Sequence, residues 1–261
     1  MRCHPLIALL AITPLMAGAD LQSAPPGGHW TYGIIRQGPT FTGTFTDGDG
    51  TRVDTARDLG MGKDSTSLGF LAEYEGRRFL LHLAGYGQTF SGNQVTDEQV
   101  AVDGTVYPAT TRLQSQYRLK DYELDWTIKV WRWDAAYLGV DLGINAWNTT
   151  ISAQGDVTAN GVTETRKASF SATAPLPQLG LSAGGHFGSD LDVRGYAHFL
   201  SVSGVSYHRV GLDVRYYPLS WLGLRANYVA EAIKAPKGSL KDDSSNVITK
   251  NGLGFGVLAR F

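Results

Sequence analysis

The sequence predicts an all-β chain folded as one antiparallel, up-and-down transmembrane β-barrel of ten strands. Three observations carry that prediction. Long segments alternate apolar and polar residues with the two-residue period of a strand. Short turn-forming runs alternate with longer connections along the chain, the rhythm of a barrel with tight turns at one rim and larger loops at the other. The composition, with 32 Gly, 12 Tyr and 10 Phe among 261 residues, leans toward sheet and turn rather than helix.

The first residues are a targeting signal. Met1 and Arg2 precede an apolar run from Leu6 to Met16 and the small-residue triplet Ala17-Gly18-Ala19, the charged start, short apolar core and cleavage site of a secretory peptide. The expected division is therefore a signal peptide over 1–19 and a single barrel domain over 20–261. The apolar run is too short for a membrane helix, which needs about 20 residues. The one cysteine, Cys3, leaves with the signal, so no disulfide or thiol nucleophile is expected in the mature chain. The net charge of -1, from 23 basic and 24 acidic residues spread along the chain, excludes a nucleic-acid face.

The strands follow in order. Upward strands are expected near 31–45, 79–90, 135–149, 191–202 and 222–233, and downward ones near 66–74, 113–130, 170–187, 207–216 and 250–261. An even count returns both ends to the same side of the membrane. Tyr122, Leu124, Trp126, Ile128 and Val130 share one face against Glu123, Asp125, Thr127 and Lys129. Leu138, Val140, Leu142, Ile144 and Ala146 do the same against Tyr137, Gly139, Asp141, Gly143 and Asn145. His208 to Tyr216 and Leu222 to Tyr228 repeat the unit around the turn at Pro218-Leu219-Ser220, and further tight turns fall near Glu75-Gly76-Arg77 and Gly188-Ser189-Asp190. The longer connections run roughly from Ser91 to Thr110, Thr149 to Ala168 and Glu231 to Lys250.

Eight or twelve strands stay open, because 31–65 and 91–121 are irregular. Leu113, Ser115, Tyr117 and Leu119 are out of phase with Tyr122 and Leu124, which predicts a bulge between them. Pro175-Leu176-Pro177 predicts a break or an edge-like bend.

A soluble sandwich or a lipocalin-like barrel also alternates, so the character of the faces decides. Here the polar face carries Gly, Asp, Arg, Glu and Lys, which suit a hydrated lumen better than a dry core. Tyr74, Trp131, Trp133, Tyr137, Phe187, Tyr216, Tyr217 and Trp221 gather near the short turns as an interfacial girdle. At the end of the chain Leu253, Phe255, Val257, Ala259 and Phe261 alternate with Gly252, Gly254, Gly256, Leu258 and Arg260. This segment resembles the C-terminal strand of small bacterial outer-membrane β-barrel proteins. The resemblance implies the outer membrane of a Gram-negative bacterium, with Phe255, Val257 and Phe261 as an assembly signal read by the barrel-insertion machinery, and outer-membrane lipid and lipopolysaccharide as surroundings. It implies no particular activity.

Candidate lumen-lining residues are Glu123, Asp125, Lys129, Asp141, Arg194, Arg209, Asp213, Arg215, Arg225 and Arg260. They read as a salt-bridge network filling a narrow barrel, or as the lining of a charged pore. Between His198 and His208 lie three serines and a tyrosine near one outer loop, which raises an outer-leaflet lipid hydrolase, but no acid stands beside them to orient a base. A ten-strand count is shared with outer-membrane aspartyl-type proteases, whose sites pair acids with a histidine. The outer-loop acids Asp97, Glu98, Asp103, Asp156, Glu164, Asp242 and Asp243 have no histidine nearby, so that activity is not supported.

Asp47-Gly48-Asp49-Gly50-Thr51 with Asp54 and Asp58 is similar to a calcium loop, but Arg52 stands where glycine is required and a hairpin tip explains the Asp-Gly pairs. Asn148-Thr149-Thr150 reads as a strand end. No cofactor or metal is expected, since there is neither a phosphate-binding glycine loop nor a Cys/His cluster. The function expected is a structural or surface-interaction role without catalysis; a narrow channel for ions or small solutes comes second and a lipid hydrolase third.

Overall fold

A computed structural model describes residues 28–46, 52–61, 65, 67–202, 204–235 and 245–261. The segment 1–19 expected to be a signal peptide, Asp47 to Thr51, Asp242 and Asp243 lie outside the described residues. The strands are β1 (His29–Thr46), β2 (Arg52–Asp54), β3 (Ser67–Glu75), β4 (Phe79–Val95), β5 (Val100–Val102), β6 (Thr105–Tyr107), β7 (Arg112–Arg132), β8 (Ala136–Ala159), β9 (Val162–Phe187), β10 (Leu191–Val202), β11 (Val205–Leu219), β12 (Leu222–Ala235) and β13 (Ser245–Arg260). Ten of them, all but β2, β5 and β6, form antiparallel staves in sequence order, and β13 pairs with β1 to close the ring. That ladder runs from Thr31 opposite Arg260 to Thr46 opposite Ser245. Phe261 finishes it by exchanging backbone hydrogen bonds with Trp30, at 2.8 and 2.9 Å. Closure leaves no stave of the lipid-embedded wall with an open edge, which a bilayer requires.

Short turns at Gly76–Arg78, Trp133–Ala135, Gly188–Asp190 and Ser220–Trp221 lie at the rim where β1 begins and β13 ends. Single-chain barrels of this type keep short turns and termini on the periplasmic side, so this rim is the inner one.

The outer half departs from the sequence reading in two ways. The expected loop from Thr149 to Ala168 is strand: β8 and β9 stay paired from Ala136 opposite Gly185 up to Ala159 opposite Val162. Their turn is Asn160-Gly161, with φ of 53° and 79°, a two-residue hairpin whose twist suits the flanking strands. Asn148, Thr149 and Thr150 therefore stand mid-strand. The expected loop from Ser91 to Thr110 likewise holds a small hairpin, β5 with β6, turned by Asp103-Gly104 at φ of 50° and 71°.

The expected bulge before Tyr122 is absent. β7 pairs with β4 without a slip from Arg112 opposite Val95 to Ile128 opposite Phe79. The side chains do not change phase; the chemistry of the faces does. Leu113, Tyr117 and Leu119 point inward like Asp121 and Glu123, while Arg112, Gln114, Arg118 and Lys120 point outward like Tyr122 and Leu124. Below that level the outer face meets lipid and is apolar. Above it the face meets water and is polar, and the apolar residues turn inside. A register shift does occur on β7, but near the inner rim, between Lys129 and Trp131 against β8.

Pro175 and Pro177 do not break β9. His186 donates its backbone N–H to Ala135 on the β8 side, so even residues of β9 direct their backbone groups to β8 and odd ones away from it. The β9–β10 ladder stops at Leu179 opposite Phe199. The two prolines thus lie just beyond it on a free edge, where a missing N–H removes no ladder bond. Edge placement is right and the break is not.

The girdle also needs correction. Trp131, Trp133, Tyr216 and Trp221 are exposed on the outer surface, joined by Trp30, Tyr32 and Phe261. Tyr137 and Tyr217 are buried inside the inner mouth instead, where Lys129 lies over the Tyr137 ring at 4.7 Å and Arg260 over the Tyr217 ring at 3.3 Å. Both belong to the inward register of their strands, so nearness to a short turn is no guide to which face a ring takes.

Candidate functional site

The lumen of the membrane-spanning half is occupied by side chains from facing staves. Glu73 on β3 accepts both guanidinium nitrogens of Arg215 on β11, and its second oxygen also meets His82 Nδ1 at 3.0 Å and Arg194 at 3.5 Å. Asp213 takes Arg225 at 2.7 Å and Arg215 at 3.1 Å. Glu123 takes Arg209 at 2.6 Å, and Arg209 reaches Glu231 at 3.2 Å. Lys250 sits between Glu231 at 2.5 Å and Asp121 at 3.0 Å.

Toward the β8–β10 side, Asp141 accepts from Thr127 at 2.5 Å and Ser182 at 2.8 Å and pairs with His198 at 3.1 Å. Asp125 accepts from Gln178 at 2.5 Å. At the inner mouth Lys129 pairs with Glu75 at 2.6 Å, His186 with Asp192 at 2.7 Å, and Arg260 with Asp192. A charge removed from water is stable only when paired and hydrogen-bonded in this way.

Glu123, Asp125, Asp141, Arg194, Arg209, Asp213, Arg215 and Arg225 are buried within the barrel, and Lys129 and Arg260 are half-buried at its inner mouth. Residue-by-residue reading missed Glu73, Glu75, His82, Asp121, Asp192, Glu231 and Lys250, which complete these pairs. The same two-residue period would have found them, since Glu73 and Glu75 alternate with Ala72 and Tyr74 on β3 as Glu123 and Asp125 do with Leu124 on β7.

Two carboxylate groups have metal-like spacing, His82 with Glu123 and Asp125, and Asp121 with Glu123 and Glu231. In the second, Lys250 and Arg209 already supply the positive charge between the acids, so the residues do not fit a metal as well as they fit their own cations. Among the described residues, two voids between these side chains measure about 20 Å³ beside Glu73 and Arg215 and about 10 Å³ beside His82 and Arg209. Each has room for about one water and none for a solute passage.

Above this network the interior becomes apolar. Phe41 stacks on Phe90 at 4.8 Å and on Tyr117 at 4.6 Å, and Trp147 meets Tyr207 edge-on at 6.2 Å. Val53, Leu59 and Met61 from the β1–β3 connection and Val100, Val102 and Tyr107 from the β5–β6 hairpin pack into the same cluster. The Tyr107 hydroxyl donates to Ala153 O at 3.0 Å, and burial pushes that phenol's pKa up. Ser115 ties the other connection down by donating to Leu59 O at 2.6 Å. The β1–β3 connection and the β5–β6 hairpin thus fold into the outer mouth.

The remaining feature is the outer part of β7, β8 and β9, a sheet that projects beyond the lipid level. Its outward face carries a row of polar pairs built from hydroxyls, an amide and a carboxylate: Asn148 with Thr173 at 2.9 Å, Thr150 with Ser171 at 3.0 Å, Asp156 with Thr165 at 2.6 Å and Thr158 with Thr163 at 2.9 Å. Among the described residues β9 has no strand partner on its far side from Val162 to Gln178. His198 lies inside the barrel against Asp141, whereas His208 and Ser201 point outside, so among the described residues of this segment no serine–histidine site is assembled. Asp54 and Asp58 cap their own turn: the Asp54 N–H donates to Asp58 at 2.7 Å and Arg57 pairs with Asp58 at 2.6 Å.

No protein-family model matches this chain, and no curated protein matches it in sequence. Solved structures do. The outer membrane protease OmpT from Escherichia coli superposes with a TM-score of 0.62 at 12% identity, over 93% of this chain and 99% of that one. Weaker likenesses include Ail, the attachment invasion locus protein of Yersinia pestis, with a TM-score of 0.33 at 11% identity over 88% of this chain and 99% of that one. The Pseudomonas putida toluene transporter TodX gives 0.34 at 8% identity, over 91% of this chain and 90% of that one. At these identities the first likeness speaks for the fold alone, and the other two add nothing to it. The chain has the fold of a ten-stranded outer-membrane β-barrel.

Proposed function

We propose that the protein is an integral outer-membrane barrel that acts through its outer surface, with the projecting β7–β8–β9 sheet as the presenting element, and that it neither conducts nor catalyses. One observation carries this reading: the interior is closed twice, by paired charges in the membrane half and by an apolar cap above them. The voids beside Glu73 and His82, about 20 and 10 Å³, are too small for a solute to pass through the charged layer, and among the described residues no hydroxyl is placed against a histidine and acid at the outer rim. What stays available is a polar sheet standing in water, with hydroxyls and amides in register. Planar-bilayer recording of the refolded full chain tests it. No steady unitary current is expected, and reproducible unitary steps would overturn the closed-lumen reading in favour of a narrow channel.

The same reading assigns Phe255, Val257 and Phe261 to recognition by the insertion machinery, and outer-membrane lipid with lipopolysaccharide as the surrounding partners. All three residues are exposed on the lipid side of the closing strand. Deleting Phe261 is expected to reduce the heat-modifiable, membrane-embedded fraction severalfold; an undiminished fraction would remove the terminal residue from the assembly role.

A further inference from the structure

Charges on the outer face are distributed unlike those in the lumen. Inside, acids and bases alternate and pair. Outside, Arg36 on β1 and Arg118 and Lys120 on β7 are exposed and form no ion pair or side-chain hydrogen bond with any described residue. No carboxylate faces outward on β1, β3, β4 or β7. All three cations stand at the level where the outward residues change from apolar to polar, above Ile34 on one strand and above Tyr122 and Leu124 on the other.

The ladder places Arg36 and Lys120 in one row, since Arg36 lies opposite Leu68, Leu68 opposite Gly87, and Gly87 opposite Lys120. Three strand spacings separate them, about 14 Å. The middle of that row is open: Gly87 has no side chain, and a Cβ there would meet nothing within 4 Å. Lower on the same wall is an apolar groove of about 530 Å³, lined by Leu81, Leu124, Trp126, Leu142 and Ile144. From Lys120 to Leu124 and Trp126 is about 13 to 20 Å along the strand, within the length of one acyl chain.

A soluble anion would use the cations and ignore the groove; an apolar solute would do the reverse. An amphiphile with phosphates above its acyl chains uses both, with the charges at the headgroup level and the chain in the wall. We propose that Arg36, Arg118 and Lys120 hold the phosphates of lipid A, the acylated anchor of lipopolysaccharide, with one acyl chain in the Leu124–Trp126 groove. The proposal rests on the outer-membrane reading and adds a defined lipid site to it.

The test is native mass spectrometry of the full-length mature protein in mild detergent. The additions are bisphosphorylated lipid A, the same lipid dephosphorylated, phosphatidylglycerol, or bisphosphorylated lipid A with millimolar inorganic phosphate. Heat-modifiable migration of each sample reports whether the barrel is folded, which separates failure of the lipid site from failure of the barrel reading. The parent is expected to retain bisphosphorylated lipid A, and the R118Q/K120Q double variant about 25-fold less, at roughly fivefold per charge near a membrane surface. Arg36→Gln is expected to lose about fivefold, and Lys234→Gln, an outward cation on β12, to lose nothing.

Equal retention by the parent and the double variant would overturn the site. So would an equal loss in Lys234→Gln, no retention by the folded parent, or retention of phosphatidylglycerol or dephosphorylated lipid at the parent level. Displacement by inorganic phosphate would replace the lipid with a free-anion ligand and equally defeat the proposal.

Discussion

The membrane half and the outer half of this barrel use one backbone pattern with opposite chemistry. On β7 the inward positions run Leu113, Ser115, Tyr117, Leu119 and then Asp121, Glu123, Asp125, while the outward positions run Arg112, Gln114, Gln116, Arg118, Lys120 and then Tyr122, Leu124, Trp126. The polarity reverses within two residues although the strand continues in register. A strand does not choose a core face; its surroundings do. Where lipid covers the outside, charges retreat inside and neutralise each other. Where water covers the outside, apolar side chains gather inside as in a soluble barrel.

The largest effects expected are losses of a keystone on either side of that boundary, and they should differ in how they can be repaired. Glu73→Leu is expected to cost about 3–5 kcal/mol, because Arg215 and Arg194 lose their buried counter-charge. Phe41→Ala in the outer cap is expected to cost about 3–5 kcal/mol by leaving a cavity between Phe90 and Tyr117. Urea unfolding of protein refolded in lipid vesicles measures both. Adding Arg215→Leu to Glu73→Leu should recover much of the first loss; if the double variant is no better than the single, the lumen is not organised by paired charges.

Next in size is the lipid face itself. Leu212→Arg, on the outward face of β11, is expected to cost about 2–4 kcal/mol. Gln116→Arg, outward on β7 above the lipid level, should stay within about 0.5 kcal/mol of the parent. Equal costs in the same vesicle assay would place the polarity boundary elsewhere.

The smallest effect probes the projecting hairpin. Gly161→Val forces a β-branched residue to φ of 79° and is expected to cost about 1–2 kcal/mol. The loss should be local: amide exchange should quicken in the outer parts of β8 and β9 and stay unchanged from Ala136 to Ala146. Uniform quickening would mean that the two halves unfold as one unit.

The barrel class and its ten staves were legible because alternation over Tyr122–Val130, Leu138–Ala146 and His208–Tyr216 is long and regular. The outer extension was not, because reversed polarity on a continuous strand looks like a phase slip when only lipid-facing chemistry is assumed. Signals for it were nevertheless present: Asn160-Gly161 and Asp103-Gly104 are the dipeptides that two-residue hairpins prefer, and both turn hairpins here. The partners of the lumen charges lie beyond any local reading. Arg215 meets Glu73 across 142 residues of sequence, and Lys250 meets Asp121 across 129. Which acid finds which base depends on the stagger of the closed ring, which single strands do not encode.

The ladder that joins β1 to β13 has a consequence in time. Its two members are the first and last strands of the barrel, so the sheet has two open edges until the chain is complete. Bringing these edges together costs about 5 kcal/mol in loop-closure entropy for roughly two hundred intervening residues, a cost recovered only when the sixteen-residue pairing from Thr31–Arg260 to Thr46–Ser245 zips. A chain stopped anywhere before its final residues is therefore an open sheet with both edges ready to pair with a neighbour. The last few residues decide when a sticky, linear intermediate becomes a ring that nothing else can join.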